Sequence, residues 1–339
     1  MVDTGLTTEM ITPHLQQILS SGSSNGKKDY KLQGIGAGGS ASTSLTALKG
    51  VSICCRPGQE GNEPFRLPDL TAVVTDFPQE HVDPKHDIEG TSSHCMRVCC
   101  DPAVLSGSHT FHSPYLPYLN YLFPSGMLGM EVLSLFDVDF DFAKERLRFW
   151  KPATAIKAIK EKLVEIPAVV INETGLIGIR LISASSKLGQ PILAFLDCGS
   201  SFSAMNWEAA KYFGLPPKGD KVYDKAPRIA ALGIDGRPIE LPLYPVSFSY
   251  AGEPVLDSQT KAPVGFESPP KEFKPFREVL VAIGDLPVFS SALGADPSKP
   301  FRGPAALVGL DVLSQRRVVL ETEAPGTRSR RRRVWVSPS

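Results

Sequence analysis

The chain lacks any apolar run of the roughly 20 residues that a membrane-spanning helix requires, so a soluble protein without membrane contact is the expectation. Net charge is absent too, with 36 Lys and Arg against 36 Asp and Glu. That balance removes the global basic field expected of a nucleic-acid binder. None of the six cysteines forms a Cys-x-x-Cys pair. Cys54, Cys55, Cys95, Cys99 and Cys100 lie near His81, His86, His94, His109 and His112 at no recognised ligand spacing, so free thiols are expected there and no metal. Long helical patterns are scarce, because 30 prolines and 29 glycines divide the sequence into short apolar runs. Strands and turns are favoured instead. Met1-Val2-Asp3-Thr4-Gly5 does not read as a secretory signal, and the compartment stays open.

What is present is one unit that occurs twice. The apolar run Ile192-Leu193-Ala194-Phe195-Leu196 ends on Asp197, followed by Cys198, Gly199, Ser200 and Ser201. A buried strand that ends on a carboxylate has to pair, solvate or protonate it. Val2-Asp3-Thr4-Gly5 aligns with Leu196-Asp197-Cys198-Gly199 without a gap. Each is followed by a helix signal: Thr12 before Pro13 with Leu15, Ile18 and Leu19 on one face, and Asn206 with Ala209, Tyr212 and Phe213. Gly22 and Gly214 are the expected stops.

A glycine-rich hairpin comes next, Gly34-Ile35-Gly36 in one unit and Gly233-Ile234-Asp235-Gly236 in the other. Gly36 lies 33 residues beyond Asp3, and Gly233 lies 36 beyond Asp197. Phosphate binding is a poor reading of these tips, since no Gly-Lys-Ser/Thr follows. The third match is Thr71 to Pro78 against Leu280 to Pro287; the fourth is Met127 to Ser134 against Leu307 to Ser314. A closing hairpin ends each unit, at Val138–Trp150 and Val318–Val336. Four matches in the same order read as an internal duplication.

This ordered set resembles the retropepsin-like (retroviral-type) aspartic proteases, in two tandem copies. The resemblance implies an all-β fold of two half-barrels, each with a short helix, paired as a pseudo-dimer. The expected divisions are 1–151 for the first copy, 152–165 for a connecting helix or linker, and 166–339 for the second copy. Pairing within the chain is one arrangement and pairing between chains another. Strand-like 168–182 precedes Asp197 but has no counterpart before Asp3, so the first copy is expected to be truncated, with Met1 an internal residue or misassigned start.

The resemblance further implies an aspartic endopeptidase that needs no cofactor. Asp3 and Asp197 would share a proton and activate water against a peptide or protein held between the copies. Thr4, Gly5, Cys198, Gly199 and Ser200 would support that dyad. Flaps at Gly34, Ile35 and Gly36 and at Gly233, Ile234 and Gly236 would close over the substrate. Cys198 stands where the family has Thr or Ser, and Leu6 where it has Ala or Ser. A thiol is a weak donor, so the cross-brace that this position makes is expected to be weaker on one side. Gly129, Gly309, Glu131 and Asp311 are expected as scaffold, and Trp150 and Trp335 as packing residues. Arg328 and Arg330 to Arg333, extended by Arg316 and Arg317, read as a solvated turn without nucleic-acid contact. Two other classes remain open: a catalytically silent peptide-binding pair and a structural interaction module.

Overall fold

The structure, a computed structural model, describes residues 2–13, 15–16, 31–36, 39–53, 65–75, 126–171, 174–184, 190–232, 238–261, 263–267, 271–294, 300–322 and 332–338. Strands dominate, and the α-helices among these residues are short: Met130–Leu133, Ala155–Ala158, Trp207–Tyr212, Pro287–Ala292 and Leu310–Leu313. This is the all-β architecture that the short apolar runs imply.

The N-terminal part forms a five-stranded sheet in the order Lys31–Gly36, Gly39–Leu48, Leu70–Val74, Glu9–Ile11, Gly126–Met127. The C-terminal part forms an eight-stranded sheet, in which Ile177–Ser183 pairs with Ile192–Leu196 on one side and Pro238–Tyr250 on the other. That second pairing curls the sheet toward closure around Phe195, Phe248, Ile179 and Ile283, all buried. Both parts cross the chain in the same way. Met10 pairs in parallel with Val73 and antiparallel with Met127. Ala204 pairs in parallel with Ala282 and antiparallel with Leu307. The peptide N–H groups of Asp3 and Asp197 donate to the carbonyls of Leu128 and Val308, each at 3.0 Å.

Local signals act where the sequence places them. The Asn206 side chain accepts from Ala209 N at 2.8 Å and starts Trp207–Tyr212. Gly214 follows that helix with φ +71°, the left-handed conformation that glycine takes without steric cost. Thr12 Oγ1 accepts from Leu15 N at 3.2 Å in the matching place, while Ile18, Leu19 and Gly22 lie outside the described residues.

A third sheet joins the two parts in the order Val164–Ile166, Arg332–Val336, Val318–Thr322, Asp137–Asp141, Arg146–Trp150. The two closing hairpins therefore pair with each other, through Val318↔Phe140 and Leu320↔Val138. The connecting segment, expected as a helix or linker over 152–165, is only briefly helical. It is one turn, Ala155–Ala158, after which Val164 and Ile166 pair with Val336 and Val334. Strand pairing wins there because it buries Ile166 completely and satisfies backbone groups that a short amphipathic helix would leave to solvent. Within 252–274, Pro254–Leu256 and Pro263–Phe266 form a separate hairpin.

Arg316, Arg317 and Arg332 also depart from the solvated-turn reading; Arg328, Arg330 and Arg331 lie outside the described residues. Arg316 is buried over the rings of Phe273 and Phe276. Arg317 grips the fully buried Asp139 through Nε at 2.8 Å and Nη2 at 2.7 Å, and reaches Glu161 at 2.8 Å. Burial by itself raises Asp139, but Arg317 and Arg148 outweigh it and hold the carboxyl below its usual range. A two-pronged bond of this kind is available to Arg and not to Lys. Arg317→Ala, which leaves Asp139 buried with Arg148 and the more distant Trp150 Nε1 as its side-chain donors, is expected to cost about 3 kcal/mol. Arg148→Ala, from the partly exposed side, is expected to cost about 1 kcal/mol. Urea-unfolding midpoints of the two variants give the comparison.

Candidate active site

Asp3 and Asp197 occupy matching places in the two halves, and the fold turns their carboxyls toward each other. Each carboxyl sits against the glycine of the opposite half, and the two interact directly as a pair. Each lies deep among protein atoms and keeps partial access to solvent. Gly5 N donates to Asp3 Oδ1 at 2.8 Å; Gly199 N and Ser200 N donate to Asp197 Oδ1 at 2.9 and 3.2 Å.

The two glycines set how close the halves can come. A Cβ on Gly5 would lie 2.4 Å from Asp197 Cγ, and one on Gly199 would lie 2.3 Å from Asp3 Cγ. Any side chain at either position would push the opposite carboxyl away. This is the physical content of the Asp-x-Gly spacing.

The residue between Asp and Gly braces the opposite half. Thr4 Oγ1 donates to the carbonyl of Leu196 at 2.9 Å and accepts from Cys198 N at 2.9 Å. Cys198 Sγ donates to the carbonyl of Val2 at 3.3 Å and accepts from Thr4 N at 3.3 Å. The thiol thus donates one bond and accepts one, as the hydroxyl does, with longer bonds to a softer atom. Burial first, and Asp3 next, push that thiol up to about 12, so it stays protonated and able to donate. A cysteine nucleophile would need the opposite shift.

Burial raises both carboxyls. For Asp3 the bonds from Asp197, Gly5 and Gly199 work against that rise. For Asp197 the charge and bonding of Asp3 add to it and carry it well above the ordinary value. Two carboxyls this close cannot both ionise easily, so the pair as a whole holds one proton.

Other expected residues fall around this centre. The strands Lys31–Gly36 and Gly39–Leu48 form the hairpin, with Gly36 opposite Gly39 at its end, so Gly34, Ile35 and Gly36 belong to its tip strand. Its backbone runs close to the helix Pro287–Ala292 of the other half. The second hairpin pairs Arg228–Leu232 with Pro238–Tyr250. Its tip, with Gly233, Ile234 and Gly236, lies outside the described residues, as does the Cys/His-containing segment 79–125. Glu131 and Asp311 stand in the first turns of Met130–Leu133 and Leu310–Leu313, behind the Asp turns and away from the dyad. Among the described residues no group of His, Cys, Asp and Glu is placed to hold a metal. Sequence reasoning missed the acceptors of the brace, the carbonyls of Val2 and Leu196. Their signal was their constant place one residue before each Asp.

No family model matches the chain, and no curated protein matches it. Among solved structures, the crystal structure of Basic 7S globulin from soybean is similar over 100% of this chain and 87% of that one, with 10% identity and a TM-score of 0.37. A likeness that low carries no weight for the function of this chain.

Thr4→Val leaves the buried Leu196 carbonyl and Cys198 N–H without their partner, and is expected to cost about 2–4 kcal/mol. Cys198→Ser, which keeps a donor and acceptor in place, is expected to stay within about 1 kcal/mol of the parent. Chemical denaturation of the two variants separates a working brace from incidental packing.

Proposed function

We propose that this chain is an aspartic-type endopeptidase built from two retropepsin-like copies that pair within one chain, 1–151 and 166–339, joined by 152–165. The observation that carries the reading is the contact of Asp3 and Asp197 across the crossed brace of Thr4 and Cys198. Recurrence of the same strand pairings and the same Asp N–H to carbonyl bond in both halves supports the duplication.

The chemistry follows from the shared proton. The ionised member of the pair takes a proton from a water held between the carboxyls. The protonated member donates its proton to the oxygen of the scissile carbonyl as the water oxygen forms its bond to carbon. The tetrahedral intermediate then collapses: the carbon–nitrogen bond breaks as the amine takes the proton that came from water, and one hydroxyl of the intermediate returns its proton to the pair as the new carboxyl group forms. A peptide or protein segment is the substrate, lying between the halves beneath the hairpin Lys31–Gly36 and its counterpart. The close glycines serve this chemistry by allowing the two acids to share one proton.

Cleavage of a peptide library by the purified chain is the direct test. Asp3→Asn and Asp197→Asn are each expected to lower the rate by about 10²–10⁴-fold, and Cys198→Thr to leave it equal or higher. The rate should follow a bell in pH. Protonation of the ionised member removes the acid side, and loss of the shared proton removes the alkaline side. Since burial raises both groups, the bell should lie above the range of free aspartates. An intact chain that cleaves nothing across that range would leave peptide binding as the function of the groove. Full activity in either Asn variant would sink the dyad itself.

A further inference from the structure

Behind each Asp turn, a side chain at the start of the next strand ties that turn to the following short helix, and the two halves do this differently. In the C-terminal half, Ser203 N and Oγ donate to the Asp311 carboxylate at 3.0 and 2.7 Å, and Gly309 N donates to Ser203 Oγ at 3.0 Å. Every polar group there has a complementary partner. The matching positions in the N-terminal half are Glu9 and Glu131, so a hydroxyl facing a carboxylate is replaced by two carboxyls.

Glu9 is 1% exposed, at the head of the strand Glu9–Ile11. Its Oε1 accepts from Val132 N at 3.1 Å, while Oε2 is buried with no hydrogen-bond partner among the described residues. Glu131, its neighbour on the helix Met130–Leu133, is exposed and accepts from Thr8 Oγ1 at 3.3 Å. That hydroxyl also donates to the Thr71 carbonyl at 2.8 Å. The remaining elements packed here, Leu70–Val74 and Gly126–Met127, contain no titratable residue, and Asp3 is paired with Asp197. Glu131 is therefore the only ionisable group facing Glu9 among the described residues.

A buried carboxylate beside a second carboxylate, with an oxygen left bare, is strongly unfavourable. One proton resolves all of it by turning the bare oxygen into a donor. We propose that Glu9 is a positioning residue whose carboxyl proton, held against Glu131, locks the turn carrying Asp3 onto the helix Met130–Leu133, and that losing this proton as pH rises loosens the turn. The route to Asp3 is short, because Met130 N and Glu131 N also donate to the carbonyls of Leu6 and Thr7, at 2.7 and 3.2 Å. This lock concerns the fold of the turn and stands whether or not the chain cleaves peptides.

Burial, followed by Glu131, pushes Glu9 up to about 8. An unfolded chain gives up the same proton near the ordinary glutamate value of about 4.3. The sign is then determined. The folded state binds the extra proton between these limits, so its stabilising effect is complete at the acid end, lost as pH rises toward about 8, and constant beyond that.

The experiment compares the parent chain, Glu9→Gln and the double variant Glu9→Ser/Glu131→Asp, which installs the pair found in the other half. Urea unfolding is measured from pH 5 to pH 9 with amide exchange across the turn at residues 4–8. Relative to both variants, the parent's unfolding constant is expected to rise by at least about tenfold between pH 5 and pH 8, with faster exchange at Leu6 to Thr8 over the same interval. A parent-to-variant ratio that is flat in pH overturns the proposal. So does a pH-dependent ratio whose exchange changes avoid this turn. Infrared spectra of the parent with ¹³C-labelled Glu carboxyls need no variant to fold. They should show a protonated Glu at pH 7 that is lost by pH 9, and a spectrum of carboxylates alone at pH 7 overturns the proposal.

Discussion

The architecture depends on a crossed brace, in which the side chain following each Asp bonds to the backbone of the opposite half. Thr4 reaches the Leu196 carbonyl and Cys198 N, and Cys198 reaches the Val2 carbonyl and Thr4 N. These groups are buried, so each bond also prevents the cost of an unsatisfied donor or acceptor. The brace draws two strand ends together until only glycine fits behind each Asp, at Gly5 and Gly199. Carboxyl contact is therefore a product of backbone geometry. Desolvation and mutual repulsion then dictate the protonation state, and the shared proton follows from the position of two glycines.

A second tie lies outside the dyad. Because the closing hairpins pair with one another, the central sheet contains strands from both halves, and its buried acids belong to that junction. Asp139 takes Arg317 from the other half. Asp137 accepts from the backbone N–H groups of Ala153, Thr154, Ala155 and Thr322 at 3.1, 2.9, 3.0 and 2.7 Å. A carboxylate with that many donors can stay buried where an unpaired one could not. Buried ion pairs add little net stability over apolar substitutes, but they penalise every mispaired register. Junctions of this kind favour one alignment of the halves, which the dyad requires, because a slip of one residue would turn alternate side chains to the wrong face.

The parts that were legible in the sequence are those with local causes. Asn206 and Thr12 announce helix starts because their side chains bond three residues ahead. Asp3 and Asp197 stand out because a carboxylate followed by a glycine ends an apolar run, and the repetition supplies each with a counterpart. Long-range partners were not legible in this way. Arg317 reads as one more basic residue in a charged turn, since nothing in its neighbourhood points to Asp139, 178 residues away. Val164 and Glu165 read as connecting helix or linker because their reason to be extended, the strand Arg332–Val336, lies at the far end of the chain. Glu9 was visible only as a Glu aligned with Ser203, a mismatch whose meaning depends on Glu131 being its neighbour in space.

Such mismatches bear on how two acids divide one proton. In a pair of identical halves neither carboxyl is favoured, and the proton has two equivalent places. Here the halves differ around the dyad. Ser200 N adds a second backbone donor to Asp197, sulfur replaces oxygen on one arm of the brace, and a Glu pair replaces Ser with Asp behind one turn. The extra backbone donor by itself would favour an ionised Asp197, yet burial and the charge of Asp3 outweigh it and raise that carboxyl. The two carboxyls therefore sit in unequal surroundings while interacting as one pair. One chain that carries both carboxyls permits this inequality, because the surroundings of each can vary without the change being repeated around the other.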